Sequence, residues 1–375
     1  MCDYNSSSQA NNWVFTTETL TACRKQANQE ARKFLSASRS LDLDNSPVLP
    51  FFTFACGFNE RINNGEQRPT NVDVPECSSH GHPYLDPEEE ATLVAFYAAK
   101  LPSLIGPFAQ NPYLRREVKV TATAALLYRR FYLSNSVLLY DPKAIVVAAA
   151  FMATKVEDCL TQVHHLEEAT KLMNAPVTQT EIIKAEYPFL GGINCDLLCF
   201  HPYKAVLAFT EDLRTFLKTS KGRELASFPN GEDRPIVGQD LSPMHNAARA
   251  IVDDAIVSDI PLLFSPGQIG LAALMVANDE LNKPEVPKIN LAGYIEHRFE
   301  GKDQIKTRDR LLKLRSMLKE LKEGKHGCGN HMVDLQKLKA IHKKLKKCRS
   351  GEKKKKKRKG EEGDEDSEAK KARVD

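Results

Sequence analysis

The chain has 375 residues, 42% of them apolar and 27% charged, which is enough for two domains plus tails. No stretch reads as a signal peptide or a membrane span, and nine scattered cysteines without a C-x-x-C pair read as the reduced thiols of an intracellular protein. The net charge of +4 is uneven: residues 1–301 hold 27 Lys+Arg against 36 Asp+Glu, residues 302–359 hold 23 against 6, and residues 360–375 hold 3 against 7, so the body lacks the broad basic surface of a nucleic-acid binder.

Trp13 and Phe15 precede a helix predicted over about 17–35, with Thr16 as its cap. Phe15 before that cap and Leu20 at the fourth helical position have the spacing of a hydrophobic staple. Leu20, Ala27, Ala31 and Phe34 form a narrow apolar stripe, so this helix must dock, and the expected dock is the body of the same chain. Residues 36–83 are rich in Ser, Asn, Pro and Gly and read as a long mobile loop. Its run PFFTF (50–54) either folds back or engages a partner; the sequence does not choose.

Asp86-Pro87 opens the next helix, with Glu88, Glu89 and Glu90 in the first turn and Leu93, Phe96, Tyr97 and Leu101 as its buried stripe. A helix over about 114–133 follows, with Leu126, Leu127, Tyr128, Phe131 and Tyr132 inward and Arg129 and Arg130 outward. Asp141 then caps a helix with Pro142 at its first position. Every residue over 144–153 is apolar, too short a run for a bilayer, which takes about 20 residues, but right for the middle of a bundle. Lys155 near its end has an ordinary explanation, a snorkelling lysine at the negative end of the helix dipole.

His164 and His165 fall on a polar helix and read as solvated. Thr178 and Glu181 have capping-box spacing and begin a helix to about residue 190, which Pro188 and Gly191-Gly192 are expected to kink or stop early. His201-Pro202-Tyr203 starts a helix to about residue 218, with Val206, Leu207, Phe209, Leu213 and Leu217 as candidate core. Residues 219–241 read as a polar loop, Ser242-Pro243 opens another helix, and Ser265-Pro266 opens a second alanine-rich apolar one.

The two apolar helices are copies. With a shift of 124 residues, SNSVLLYDPKAIVVAAAFMATK (134–155) falls on SDIPLLFSPGQIGLAALMVAND (258–279) with eight of 22 identities and no gap. The body therefore reads as two copies of one all-helical unit, each around a buried central helix. Lys155 falls on Asp279 in this register. A lysine needed only for capping has no reason to be confined to one copy.

Residues 303–322 and 332–347 read as basic amphipathic helices, marked by Leu311, Leu314, Leu318 and Leu321 and by Leu335, Leu338, Ile341 and Leu345. The first is expected to pack on the body; for the second, a partner-binding or coiled-coil role and a merely solvated one stand even. Residues 351–375 cannot form a core and read as disordered. Their run Lys353, Lys354, Lys355, Lys356, Lys357, Arg358 and Lys359 reads as a nuclear-import signal. Cys195 with Cys199, and His326 with Cys328 and His331, lack a four-ligand zinc spacing. With no nucleotide loop or nucleophile triad either, no cofactor, metal or enzymatic activity is expected.

The segment RRFYLSNSVLLYDP…AFMATKVED (129–158) resembles the cyclin box, and the likeness continues through the second copy. WVFTTETLTACRKQANQEARKF (13–34), YLDPEEEATLVAFY (84–97), NPYLRREV, FSPGQIGLAA and the KKRKG-acidic tail make the chain most similar to the cyclin H group of that family. The resemblance implies an all-α protein of two tandem five-helix cyclin folds with extra N- and C-terminal helices. On that reading the chain divides into a terminal helix (1–35), a loop (36–83), two cyclin folds (84–198 and 199–300), basic helices (301–350) and a tail (351–375).

It also implies a nuclear regulatory subunit that binds and activates a cyclin-dependent kinase within the CDK-activating kinase. The implied partners are the kinase catalytic subunit, a RING-finger assembly factor and the transcription factor IIH core, with no membrane and no sequence-specific nucleic acid. The implied substrates are other cyclin-dependent kinases and the RNA polymerase II C-terminal domain. By motif position the implied kinase contacts are Lys155 and Glu186. Two alternatives are a cyclin C-, K- or T-like protein and a IIB-type DNA-binding factor; the latter class carries a zinc ribbon and a basic repeat surface that this sequence lacks.

Overall fold

A computed structural model of the chain describes residues 3–40, 84–232, 234–298, 304–323 and 335–350. Residues 41–83, which hold most of the predicted loop and its PFFTF run, lie outside these, as do His326, Cys328, His331 and the tail 351–375. Among the described residues the structure is helical apart from a two-residue antiparallel bridge, Ala226–Ser227 with Lys288–Ile289.

The first unit comprises α2 (Pro87–Ala98), α3 (Val118–Ser134), α4 (Pro142–Val156), α5 (Val163–Leu172) and α6 (Gln179–Gly192), preceded by α1 (Thr17–Ser40). Asp141 accepts a hydrogen bond from the Lys143 N–H at 2.9 Å and so starts α4, whose residues Ile145–Thr154 are all buried. α3 and α6 pack directly on this central helix. Where α6 passes α3, a Cβ on Gly192 would lie 2.5 Å from the Phe131 ring, so only glycine permits the approach. α6 runs unbroken through Pro188. The carbonyl deprived of its donor belongs to Lys184, an exposed residue, so water can replace the lost hydrogen bond and the helix need not stop there.

The second unit repeats the plan with α7 (Pro202–Phe216), α8 (Gly238–Ile256), α9 (Pro266–Glu280), α10 (Leu291–Arg298) and α11 (Gln304–Lys322). α9 is buried over Ile269–Ala277, and Gly270 lets α7 come close: a Cβ there would lie 2.9 Å from that of Ala205. α11 lies along α9 as α6 lies along α4, with Leu311, Leu314, Leu318 and Leu321 buried. On this packing α11 takes in the second unit the place that α6 takes in the first. α8 begins a turn before Ser242-Pro243, because Asp240 accepts the Val237 N–H at 2.8 Å and is held by Arg234. Leu207 is exposed, not core: Val206, Thr210 and Leu213 fill the buried face of α7.

The expectation of outward-facing Arg129 and Arg130 is overturned; both are buried. Arg129 donates to the Val257 carbonyl through Nε, at 3.0 Å, and through Nη2, and pairs with Asp259 in the turn before α9. Arg24 of α1 grips the same carboxylate through two hydrogen bonds of 2.9 and 2.7 Å. Arg130 donates to the Asp196 and Leu198 carbonyls of the inter-unit linker at 3.0–3.1 Å and stacks on Trp13. Trp13 in turn donates to the Asp196 carboxylate at 2.6 Å. A guanidinium can be buried when most of its donors meet acceptors. The turn gives Arg129 a carbonyl and a carboxylate, and the linker gives Arg130 two carbonyls, with the Arg130 Nε left unpartnered among the described residues.

α1 docks as expected, with Leu20, Ala27 and Ala31 buried, and it bridges both units. Toward the second, the Phe15 N–H donates to the Leu262 carbonyl at 2.8 Å. Toward the first, Asn28 donates to the Leu85 carbonyl at 3.0 Å and to Glu90 at 2.9 Å, and Ser136 donates to the same Glu90 oxygen at 2.6 Å. Burial outweighs these hydrogen bonds and pushes the Glu90 carboxyl up to about 7 from 4.5. The folded chain therefore holds a proton that the unfolded chain releases between these values, and stability falls as pH rises through that window and levels above it. Glu90→Gln is expected to flatten the melting temperature between pH 5 and pH 8, where the wild type loses about 2–4 kcal/mol. Parallel melting curves for the two proteins across that range would show that Glu90 ionises normally.

α12 (Leu335–Ser350) is neither a free nor a solvated helix: it docks on α2 of the first unit. Leu338, Ile341, Leu345 and Cys348 are buried, and His342 packs edge-on against Phe96 and Tyr97. Lys344 pairs with Glu89 at 2.6 Å and Arg349 with Asp141 at 3.2 Å. Leu335, at the first turn, is exposed.

Candidate partner-binding site

Phe151 and Lys155 are four residues apart on α4 and so share a face. The Lys155 ammonium stands 4.2 Å from the Phe151 ring centroid and pairs with Glu186 of α6. α6 is set in rotation by its capping box, in which Glu181 accepts the Thr178 N–H at 2.8 Å, and by Ile182 and Phe189, which are buried. That rotation leaves Ile183, Glu186 and Tyr187 facing outward, with Ile183 56% and Tyr187 70% exposed. The ion pair is open too: its side chains are 34% and 23% exposed. A pair so exposed contributes only about 0–1 kcal/mol to folding.

The end of α4 is fixed from behind. Glu157 accepts a hydrogen bond from Thr123, whose hydroxyl also lies 2.8 Å from the ring of His201, the residue that precedes α7. The position of Lys155 is thereby tied to the junction of the two units.

The second unit carries the same connection with reversed polarity. Asp279, at the position of Lys155, pairs with Arg315 at 2.5 Å and Lys319 at 2.9 Å, both on α11. Burial pushes its carboxyl up, but these two cations outweigh burial and hold it below the usual range. Lys322 pairs with the neighbouring Glu280. The first unit thus offers one cation and one carboxylate beside exposed apolar side chains, whereas the second closes its carboxylate with two cations. The first arrangement can hydrogen-bond a partner's backbone and cover apolar area; it has no group placed for covalent chemistry.

Of the residues singled out in the sequence, Lys155 and Glu186 come together, and Lys353–Lys359 lie outside the described residues. Cys195 and Cys199 sit in the linker, where burial raises the Cys199 thiol to about 11. Among the described residues no group of three or more His, Cys, Asp or Glu could hold a metal, and no helix is long and apolar enough to cross a membrane. His164 and His165 are half-buried rather than solvated, His165 stacking on Tyr113 with centroids 4.5 Å apart. Ile183 and Tyr187 were missed in the sequence, yet a signal existed: they share a face that excludes Ile182 and Phe189.

Residues 201–350 match the profile of the cyclin C-terminal domain. The chain is 28% identical over 353 residues to Cyclin-H1-1 of Arabidopsis thaliana, covering 93% of this chain and 89% of that protein. It is 26% identical over 300 residues to Cyclin CCL1 of Saccharomyces cerevisiae, covering 80% and 62%. Among solved structures, a chain of the CAK complex from Chaetomium thermophilum bound to ATP-gamma-S superposes with a TM-score of 0.64 at 23% identity, covering 97% of this chain and 98% of that one. This last likeness establishes the all-α fold.

Proposed function

We infer that this chain, which belongs to the cyclin family, is a cyclin H-like regulatory subunit that binds and activates a cyclin-dependent kinase. Its relatives are cyclin H proteins, and its structural neighbours are chains of the CAK complex and of the yeast TFIIK (Kin28/Ccl1/Tfb3) complex. By that likeness its partners are a kinase subunit, a RING-finger assembly factor and the transcription factor IIH core. The reaction belongs to the kinase, acting on other cyclin-dependent kinases and on the RNA polymerase II C-terminal domain. The cyclin C-, K- or T-like and IIB-type alternatives are not favoured.

The observation that carries the site assignment is the open Lys155–Glu186 pair beside exposed Ile183 and Tyr187, set against the closed Asp279 cluster of the second unit. A kinase needs its Lys–Glu pair and metal-binding loop in place, which depends on how one helix is held. A protein that binds the active arrangement better than the inactive one shifts the population toward it. Ile183 and Tyr187 supply area for that contact. Lys155 and Glu186 supply charge-assisted hydrogen bonds, which are the strong and directional ones.

A nuclear role fits these relatives, and we place import in the basic run 353–359. One experiment reads both proposals. The tagged full chain should retrieve an active cyclin-dependent kinase from nuclear extract, whereas a chain lacking residues 351–375 should retrieve it from cytoplasm. Retrieval of no kinase by either chain refutes the function; nuclear retrieval by both refutes the import signal.

A further inference from the structure

The two C-terminal helices share a basic composition, but their charges are spent differently. On α11, Arg315 and Lys319 close on Asp279, Lys322 on Glu280 and Arg308 on Glu296, so carboxylates of the body pair four of that helix's cations. On α12 Lys344 and Arg349 reach body carboxylates. Lys339, Lys343 and Lys346 are exposed and have no hydrogen bond or ion pair among the described residues. They fall at i, i+4 and i+7, opposite the buried row Ile341, Leu345 and Cys348, and so form one outward stripe on a helix pinned in place from beneath.

We propose that this outer face of α12 is a sequence-independent binding site for the phosphate backbone of duplex nucleic acid. Seven residues of helix put the end lysines about 10 Å apart, which spans about three phosphate-to-phosphate steps of a strand rising 3.4 Å each. The chemistry argues against a phosphopeptide. Recognition of a single phosphoester favours the guanidinium fork of arginine, while this stripe is made of lysine point charges on a convex surface. Such contacts neutralise a polyanion without reading it.

The site is compatible with kinase binding and does not rest on it. Arg349 holds α12 to Asp141 at the N-terminus of α4. Lys155 lies at the other end of that helix, about 21 Å away along its axis.

The test uses the full chain with Lys339, Lys343 and Lys346 all changed to alanine, since these exposed residues contribute little to folding. Binding of a fluorescent 20-base-pair DNA duplex is measured by anisotropy between 50 and 200 mM salt, with circular dichroism as a check that the helices persist. Losing three phosphate contacts should lower the slope of log K against log salt by about 2.7 and weaken binding at low salt by roughly 10–100-fold. An unchanged slope and affinity would assign any binding to the tail and overturn the proposal. So would a multiply phosphorylated peptide that competes better than DNA at equal phosphate concentration.

Discussion

Replacing Asp259 with alanine is expected to lower stability by about 3 kcal/mol, or roughly 6–12 °C in melting temperature. The carboxylate lies between Arg129 and Arg24 and so fastens the first unit, the second unit and α1 at one point. Burial pushes its carboxyl up, but the two arginines outweigh burial and hold it well below the ordinary 3.8. The stability it adds is therefore present above about pH 4 and is lost as pH falls through the lowered value. Removing it leaves the buried Arg129 guanidinium with the Val257 carbonyl alone. This places the cost at the lower end of the range for breaking a buried pair. A second change, Arg129→Met, should recover much of the loss by removing the stranded charge. A single Asp259→Ala variant that melts within 1 °C of the wild type would show that the clamp contributes nothing.

Lys155→Ala is expected to weaken kinase binding by roughly 2–5 kcal/mol, at least about 30-fold in Kd, with a nearly unchanged melting profile. The separation of the two effects follows from exposure. In the free chain the Lys155–Glu186 pair stands at the surface, where a pair is worth little. At a desolvated interface the same deletion strands the partner's acceptors. Exchanging the charges (Lys155→Glu with Glu186→Lys) sharpens the test, because it restores the pair within the chain while inverting what the kinase meets. Asp279→Ala, which opens the closed cluster with Arg315 and Lys319, should cost some stability and leave kinase binding alone. Full kinase binding by the exchanged variant, measured by titration with the catalytic subunit, would limit the pair to a role within the fold.

Most of the architecture was legible before any coordinates. Each central helix is apolar all round, which only burial on every side can satisfy, and the ungapped 124-residue repeat implies that both are solved in one way. The caps Asp141, Thr178 and Ser265 act where their spacing to the next polar residue put them. Capping and periodicity are local, because the groups that satisfy one another lie within a turn or two of the chain.

The failures share the opposite property. Arg129 and Arg130 follow an apolar face closely enough to read as outward, but their acceptors, Val257, Asp259 and Asp196, lie 66–130 residues away. Pro188 reads as a helix breaker because a sequence records the lost N–H and not whether water can reach the freed carbonyl. α11 and α12 look alike as basic amphipathic helices; which of their cations are paired depended on where Asp279, Glu280 and Glu296 stand in space. Lys155 and Glu186 were assigned through a family resemblance, and only packing brought them together across α4 and α6. The sequence by itself determined the helices, their caps and the duplication, since those rest on interactions between near neighbours. The tertiary structure alone decided which charges are closed off and which remain open to a partner, because electrostatic pairing depends on distance in space and not on distance along the chain.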